Sequence, residues 1–246
     1  MFTAGLSKRC KHVLHVHGWS ETDDGQLCLV MGKYGRGTLQ ELLDECERLP
    51  PQHVLRVSLD MASGVAELHA QNMVYNDLKP DNCLVEADGG IVLADFGVLK
   101  PLSNSNRAPT STITQYGSPL FMAPEKLASW PGARQAATFA ADVWALAVSI
   151  LQVATNDPTL PYSSGFDMED MDKMLNIDKE LPEVPQLSEL PGLQQLLQRC
   201  LALDPDARPS AAEVREVSLN ASESSQAFSW MVYCKAMRTC MHSFPN

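Results

Sequence analysis

Two short apolar runs, 83–85 and 91–94, stand on either side of Asp88-Gly89-Gly90, a sequence that favours a tight hairpin turn. A chain with this pattern folds back on itself, so the residues ahead of the first run are carried beside those after the second. Asp77-Leu78-Lys79-Pro80-Asp81-Asn82 leads into the first run, and Asp95-Phe96-Gly97 comes directly after the second. The hairpin therefore delivers Asp95 directly beside the loop carrying Asp77 and Asn82. Two carboxylates and a carboxamide gathered in this way are hard oxygen donors, suited to a divalent cation and the phosphate it bridges. No other feature constrains the fold as strongly.

Around this hairpin the chain alternates between short strands and amphipathic helices. Residues 12–17 and 27–31 read as two strands around the polar turn 20–26. Gly35, Gly37 and Thr38 break that pattern and start a helix at 39–43. After Pro50-Pro51, apolar residues Val54, Val57, Met61, Val65 and Leu68 recur at steps of three and four, the period of an amphipathic helix. Residues 103–114 are rich in Ser, Thr and Asn and read as an exposed, mobile segment. Helical patterns return at 139–153, 193–202 and 211–217, and the final stretch, 219–246, reads either as a docking helix or as a frayed tail.

Composition narrows the class. Acidic side chains number 30 against 19 basic ones, a net charge of −11 that disfavours nucleic acid and anionic membrane as partners. The most apolar stretch, 139–154, contains Asp142 and Gln152 and is too short to span a bilayer, so a buried helix is the expectation. Seven cysteines, with no C-x-x-C pair and no secretory segment, suit reduced thiols in the cytoplasm. His12, His15 and His17 lack neighbouring Cys or acidic ligands and read as incidental rather than as a metal site. Asn220-Ala221-Ser222 fits a glycosylation sequon that a cytoplasmic chain would not use. Glu41, Asp44, Glu45 and Glu47 read as a solvated helix face.

With Ala123-Pro124-Glu125 further on, these strings keep the order of the catalytic loop, D-F-G and A-P-E of a protein kinase. The chain resembles the catalytic domain of a eukaryotic-type protein kinase, of Ser/Thr type, from about residue 10 to about residue 218. The resemblance implies an α+β, protein-kinase-like fold, with a mainly α-helical C-lobe and a short remnant of the N-lobe β-sheet. It implies ATP and Mg2+ as cofactors and a protein Ser/Thr hydroxyl as acceptor. Asp77 would orient or accept the hydroxyl proton, Lys79 would reach the transferring phosphate, and Asn82 and Asp95 would hold magnesium. Met31 would be the gatekeeper, the Gly32 carbonyl and Tyr34 amide would face the adenine edge, and Leu84 would form the floor beneath the ring. The alternative for 29–31 is merely a buried strand, and both readings can hold together. Lys79-Pro80 and Ser118 are in the form seen in serine/threonine kinases. Asp142 matches a scaffold carboxylate that bonds the catalytic-loop backbone, and Arg208 matches the partner of Glu125.

The departures matter too. Tyr75-Asn76-Asp77 stands where the family has His-Arg-Asp. Tyr75 is large and aromatic enough to fill the apolar position under Phe96, whereas Asn76 lacks the charged fork that grips a phosphate. Phosphorylation at Thr110, Ser111, Thr112 or Thr114 is therefore expected to matter little, and Arg107 is a poor substitute, so control would come from a regulatory partner or domain. Ahead of Lys33 the sequence shows no glycine-rich loop and no V-A-I-K lysine. The expected organisation is a partial N-lobe over 1–34, the C-lobe over 35–218 and a tail over 219–246, with weak Mg-ATP binding by the chain alone. Two alternatives stay open: a catalytically impaired, kinase-like binding or scaffold module, and a truncated fragment of a longer kinase.

Overall fold

Every residue from 141 to 154 is buried, as a helix apolar on all sides must be. It belongs to a computed structural model that describes residues 10–46, 48–102, 119–127, 137–157 and 184–224. The described elements are β1 (Val16–Glu21), β2 (Leu27–Met31), α1 (Leu39–Glu45), α2 (Pro51–Ala70), β3 (Met73–Val74), β4 (Cys83–Val85) and β5 (Ile91–Leu93). They continue with β6 (Lys100–Pro101), α3 (Pro124–Leu127), α4 (Phe139–Thr155), α5 (Pro185–Ser188), α6 (Pro191–Cys200) and α7 (Ala211–Ser224). Helices outweigh strands, and the strands form three separate antiparallel pairs, β1–β2, β3–β6 and β4–β5.

The core lies between α2 and α4. Met61, Val65 and Leu68 of α2 meet Trp144, Leu146, Ile150 and Leu151 of α4 in one apolar cluster. Each such side chain taken from water contributes about 1.5–3 kcal/mol. α7 packs along α2, and β5 lies against α2 as well. Gly64 permits the approach to β5: a Cβ there would stand 2.7 Å from the His12 carbonyl oxygen and 2.8 Å from Leu93. Only the absence of a side chain lets helix and strand come this close.

Local signals set the helix ends. Pro51 opens α2 at its first turn, where a missing N–H costs nothing. Thr38 caps α1 in a reciprocal box, its hydroxyl accepting from the Glu41 N–H while the Glu41 carboxylate accepts from the Thr38 N–H. Gly37 has φ +71°, and a Cβ there would lie 1.9 Å from Glu41 Oε2, so the box needs glycine at this position. Asn156 ends α4 in the left-handed region and donates from Nδ2 to the carbonyls of Leu43 (3.0 Å) and Cys46 (2.9 Å). One residue thus terminates α4 and bonds two carbonyls at the C-terminal end of α1.

The first strand differs from the expectation. It runs over Val16–Glu21 rather than 12–17, because the backbone at 12–14 is used elsewhere. Leu14 N–H donates to Leu93 O (2.8 Å) and Leu93 N–H donates to His12 O (2.9 Å), a parallel bridge centred on Val13. Residues 12–14 thereby become a third strand-like edge beside β5. His12 faces Asp60, with Nδ1 3.7 Å from its carboxylate, while the rings of His15 and His17 meet edge to face. Glu41, Asp44 and Glu45 are exposed along α1, as expected of a solvated face.

The helix expected at 211–217 continues to Ser224; residues 225–246 lie outside the described residues. So do Glu47, the segment expected to be mobile at 103–114, Arg107 and the four loop hydroxyls, and Ser118. No described helix is long and apolar enough to cross a membrane. The five described cysteines, Cys10, Cys28, Cys46, Cys83 and Cys200, are thiols rather than halves of disulfides. Burial raises the Cys83 thiol far above its ordinary range and pushes Cys200 up to about 12.

Candidate active site

The loop between β3 and β4 is held from below by one carboxylate. Asp142, buried in the first turn of α4, accepts from the backbone N–H of Tyr75 (2.8 Å) and of Asn76 (2.7 Å). His69, near the end of α2 and stacked on Phe139, lies 2.9 Å from the same carboxylate. Burial of this acid is costly unless its oxygens are satisfied, and three partners satisfy them. The expected scaffold role of Asp142 is what the structure shows.

Tyr75 fills the interior beneath the loop. It is fully buried, edge to face with Phe96 at a centroid separation of 6.2 Å, and occupies the apolar position expected of it. Its hydroxyl donates to the Ala94 carbonyl and lies 3.3 Å from Asn82 O. Ala94 N–H in turn donates to Asn82 O at 2.8 Å. The base of the β4–β5 hairpin is thereby closed, with Asn82 on one arm and Asp95 immediately after the other. Burial holds the phenol well above its usual pKa, so it stays a neutral donor.

The loop residues singled out from the sequence meet one another. Asn82 Nδ2 donates to Asp77 O (2.7 Å) and to Asp77 Oδ2 (2.8 Å), and Lys79 Nζ stands 3.8 Å from the same Oδ2. Committing the Asn82 amide nitrogen to Asp77 leaves its Oδ1 as the atom for another partner. Asp95 is exposed and left-handed at φ 52°, with its Oδ1 accepting from the Gly97 N–H at 3.1 Å. A non-glycine residue in this region carries local strain, a feature that gathers at functional sites. The donors are carboxylate and carboxamide oxygens, chemistry that fits a hard divalent cation.

The chain just after the positions expected to face adenine is stitched to the same hairpin. Val85 N–H donates to Gly37 O (3.0 Å) and Thr38 bridges Leu84, which is half-buried in β4. Tyr34 is half-buried and Gly32 exposed. Met31 is 47% exposed, Val30 47% and Leu29 52%, so the alternative of a merely buried strand is overturned. With Trp19 at 59% and Leu27 at 68%, the β1–β2 hairpin shows apolar side chains to solvent on both faces. A two-stranded hairpin has too little partner surface to bury them.

Further along the chain, Arg208 grips Glu125 through both guanidinium nitrogens, at 2.8 and 2.7 Å, as expected. It also donates to the carbonyls of Ala202 (2.9 Å) and Ala140 (3.0 Å) and lies 5.0 Å over the Trp144 ring. Two neighbours of the loop escaped the sequence reading. His69 reaches Asp142 across 73 positions, a contact with no local signal. Lys126 of α3 donates from Nζ to Asn76 Oδ1. Its one visible signal is a charge set between Phe121-Met122-Ala123-Pro124 and Leu127.

Known proteins match this sequence over most of its length. It is 32% identical over 206 residues to the mitogen-activated protein kinase kinase kinase YODA of Arabidopsis thaliana, covering 84% of this chain and 22% of that protein. It is 30% identical over 212 residues to mitogen-activated protein kinase kinase kinase 3 of the same plant, covering 86% and 33%. The serine/threonine-protein kinase pakE of Dictyostelium discoideum is 28% identical over 211 residues, covering 84% and 21%. The chain thus spans between about a fifth and a third of the length of these relatives. A family description, "Protein kinase domain", matches residues 4–219, and with the loop, hairpin and Glu125–Arg208 pair in place the chain belongs to the protein kinase domain family.

Proposed function

We propose that this chain carries the catalytic loop of a serine/threonine protein kinase, transferring the terminal phosphate of ATP to a protein hydroxyl. The observation that carries the reading is the Asn82 carboxamide, bonded to Asp77 at 2.7 and 2.8 Å and seated at the hairpin base beside Asp95. Bound Mg-ATP supplies the phosphoryl group and the cations that neutralise its charge. Asn82 Oδ1 and the Asp95 carboxylate would hold magnesium. Asp77, kept in one orientation by Asn82 and Lys79, orients the acceptor hydroxyl and takes its proton. Lys79 places a positive charge beside the group in transit. Met31, Gly32, Tyr34 and Leu84 would receive the adenine; the exposed apolar surface at 29–31 suits a ring that needs a dry face.

Lys79-Pro80 and Ser118 support Ser/Thr over Tyr acceptors, as does the likeness to a serine/threonine-protein kinase such as pakE. The five thiols among the described residues support a cytoplasmic protein. The division into 1–34, 35–218 and 219–246, and the reliance on a regulatory partner or domain, belong to the same reading.

The test compares Asp77→Asn with Asp95→Asn in the whole protein containing this chain, by phosphate transfer and by calorimetric titration with Mg-ATP. Asp77→Asn should lower turnover by about 100-fold or more while leaving nucleotide affinity intact, because it touches the hydroxyl. Asp95→Asn should weaken Mg-ATP binding itself. Full transfer in both variants would refute the assignment. Tight binding without transfer in the wild type would favour the binding-module alternative.

A further inference from the structure

We propose that Lys126 is a positioning residue for Asp77, acting through Asn76, so that the end of the A-P-E helix is tied to the catalytic loop by a side chain this sequence supplies itself. The inference rests on the reading of Asp77 as the group that handles the acceptor hydroxyl.

Asn76 is held at two of its polar groups. Its backbone N–H donates to Asp142 Oδ1 at 2.7 Å, and its side-chain oxygen accepts from Lys126 Nζ. The residue is left-handed, φ 70°, a conformation asparagine tolerates better than most residues but that still costs free energy. Two grips, one from α4 and one from α3, hold the backbone in that turn, and the next residue is Asp77. Asn76, Asp77, Met122, Ala123, Lys126 and Asp142 line one cleft, so Lys126 reaches the loop at the residue just ahead of Asp77.

Lys126 is itself well anchored. Its N–H donates to Ala123 O at 2.8 Å, and its neighbour Glu125 is clamped by Arg208 at 2.8 and 2.7 Å. A continuous set of contacts therefore runs from Arg208 through Glu125 and Lys126 to Asn76 and Asp77. Burial draws the Lys126 ammonium below its ordinary pKa and Lys100 pushes the same way, while Asp142 and Glu125 hold it up. A charge so placed needs a hydrogen-bond acceptor, and the Asn76 carboxamide is one.

The arrangement accounts for Asn76. An arginine at this position would bring a second cation against Lys126, whereas asparagine presents an acceptor. The contact between activation-segment end and catalytic loop is then made without an added phosphate group.

The experiment uses wild type, Lys126→Met, Lys126→Arg, Asn76→Gly and the Lys126→Met/Asn76→Gly double variant. Amide hydrogen exchange at Tyr75 and Asn76 reads the loop without needing turnover, and transfer kinetics read the consequence for Asp77. Lys126→Met should speed exchange at both amides about tenfold and lower kcat about tenfold, leaving the KM for ATP unchanged, the size of one lost charged hydrogen bond. Lys126→Arg should recover most of both. The double variant should be no worse than the worse single, since both remove the same contact. Asn76→Gly keeps the left-handed turn accessible, so the contact can be tested even where Lys126→Met fails to fold. Wild-type exchange in Lys126→Met, failure of Lys126→Arg to restore, or additive losses in the double variant would each overturn the inference. Undiminished transfer in Asp77→Asn would instead defeat the reading of Asp77, and the exchange measurements separate the two failures.

Discussion

Replacing Asp142 by asparagine keeps the size of the side chain and removes one acceptor, which makes the consequence countable. Asp142 Oδ2 receives the Tyr75 N–H at 2.8 Å and lies 2.9 Å from His69 Nε2, while Oδ1 receives the Asn76 N–H at 2.7 Å. Asparagine offers one oxygen. Whichever way its amide turns, an NH2 group faces a backbone N–H. With the oxygen left toward Tyr75 and His69, the Asn76 N–H loses its acceptor, a penalty of about 1–3 kcal/mol, and the remaining bonds lose charge assistance worth about 1 kcal/mol each. The sum is about 3–5 kcal/mol. The residue is 1% exposed, so solvent offers little relief. For a protein of this size each kcal/mol moves Tm by about 2–4 °C, so a fall of about 6 °C or more is expected. Urea unfolding measures the free energy, and amide exchange at Asn76 locates it. A change below about 0.5 kcal/mol, the size of an ordinary surface substitution, with Asn76 still protected, would refute the claim that this carboxylate holds the loop.

Arg208→Lys should cost about 2 kcal/mol in urea unfolding, because a point charge cannot reproduce the fork on Glu125 and the carbonyls of Ala140 and Ala202; an unchanged midpoint would contradict it. His53 is buried, and burial lowers its pKa below the ordinary value, so the unfolded chain binds a proton more readily than the folded one. Its contribution to stability is therefore complete above about pH 6.5 and is lost as pH falls through the folded pKa; the drop in Tm between about pH 7 and pH 5 should be smaller in His53→Leu, and equal drops would refute the attribution.

Much of the site is legible in the sequence, because its signals are local. The hairpin turn at Asp88-Gly89-Gly90 places Asn82 and Asp95 on adjoining arms whatever the rest of the chain does. The apolar period of α2 and the unbroken apolar run of α4 are properties of neighbouring residues, and both helices form where those patterns stand. Asp142 is conspicuous for a similar reason: a charge in so apolar a helix must find partners.

What the sequence leaves undecided depends on which distant segments meet. Residues 12–17 look like one strand, yet Val13 pairs with Leu93 and the ladder with β2 starts only at Val16, because the backbone donors at 12–14 are satisfied by β5. An apolar run such as Leu27–Met31 reads as buried, but burial needs an opposing surface, and the described hairpin stands exposed. Lys126 and Asn76 are 50 positions apart, and neither residue type alone announces the other. Periodicity and turn chemistry act over a few residues, so they are written in the sequence; which backbone edge is paired and which charge meets which acceptor is settled only when α2, α4 and the hairpin pack together.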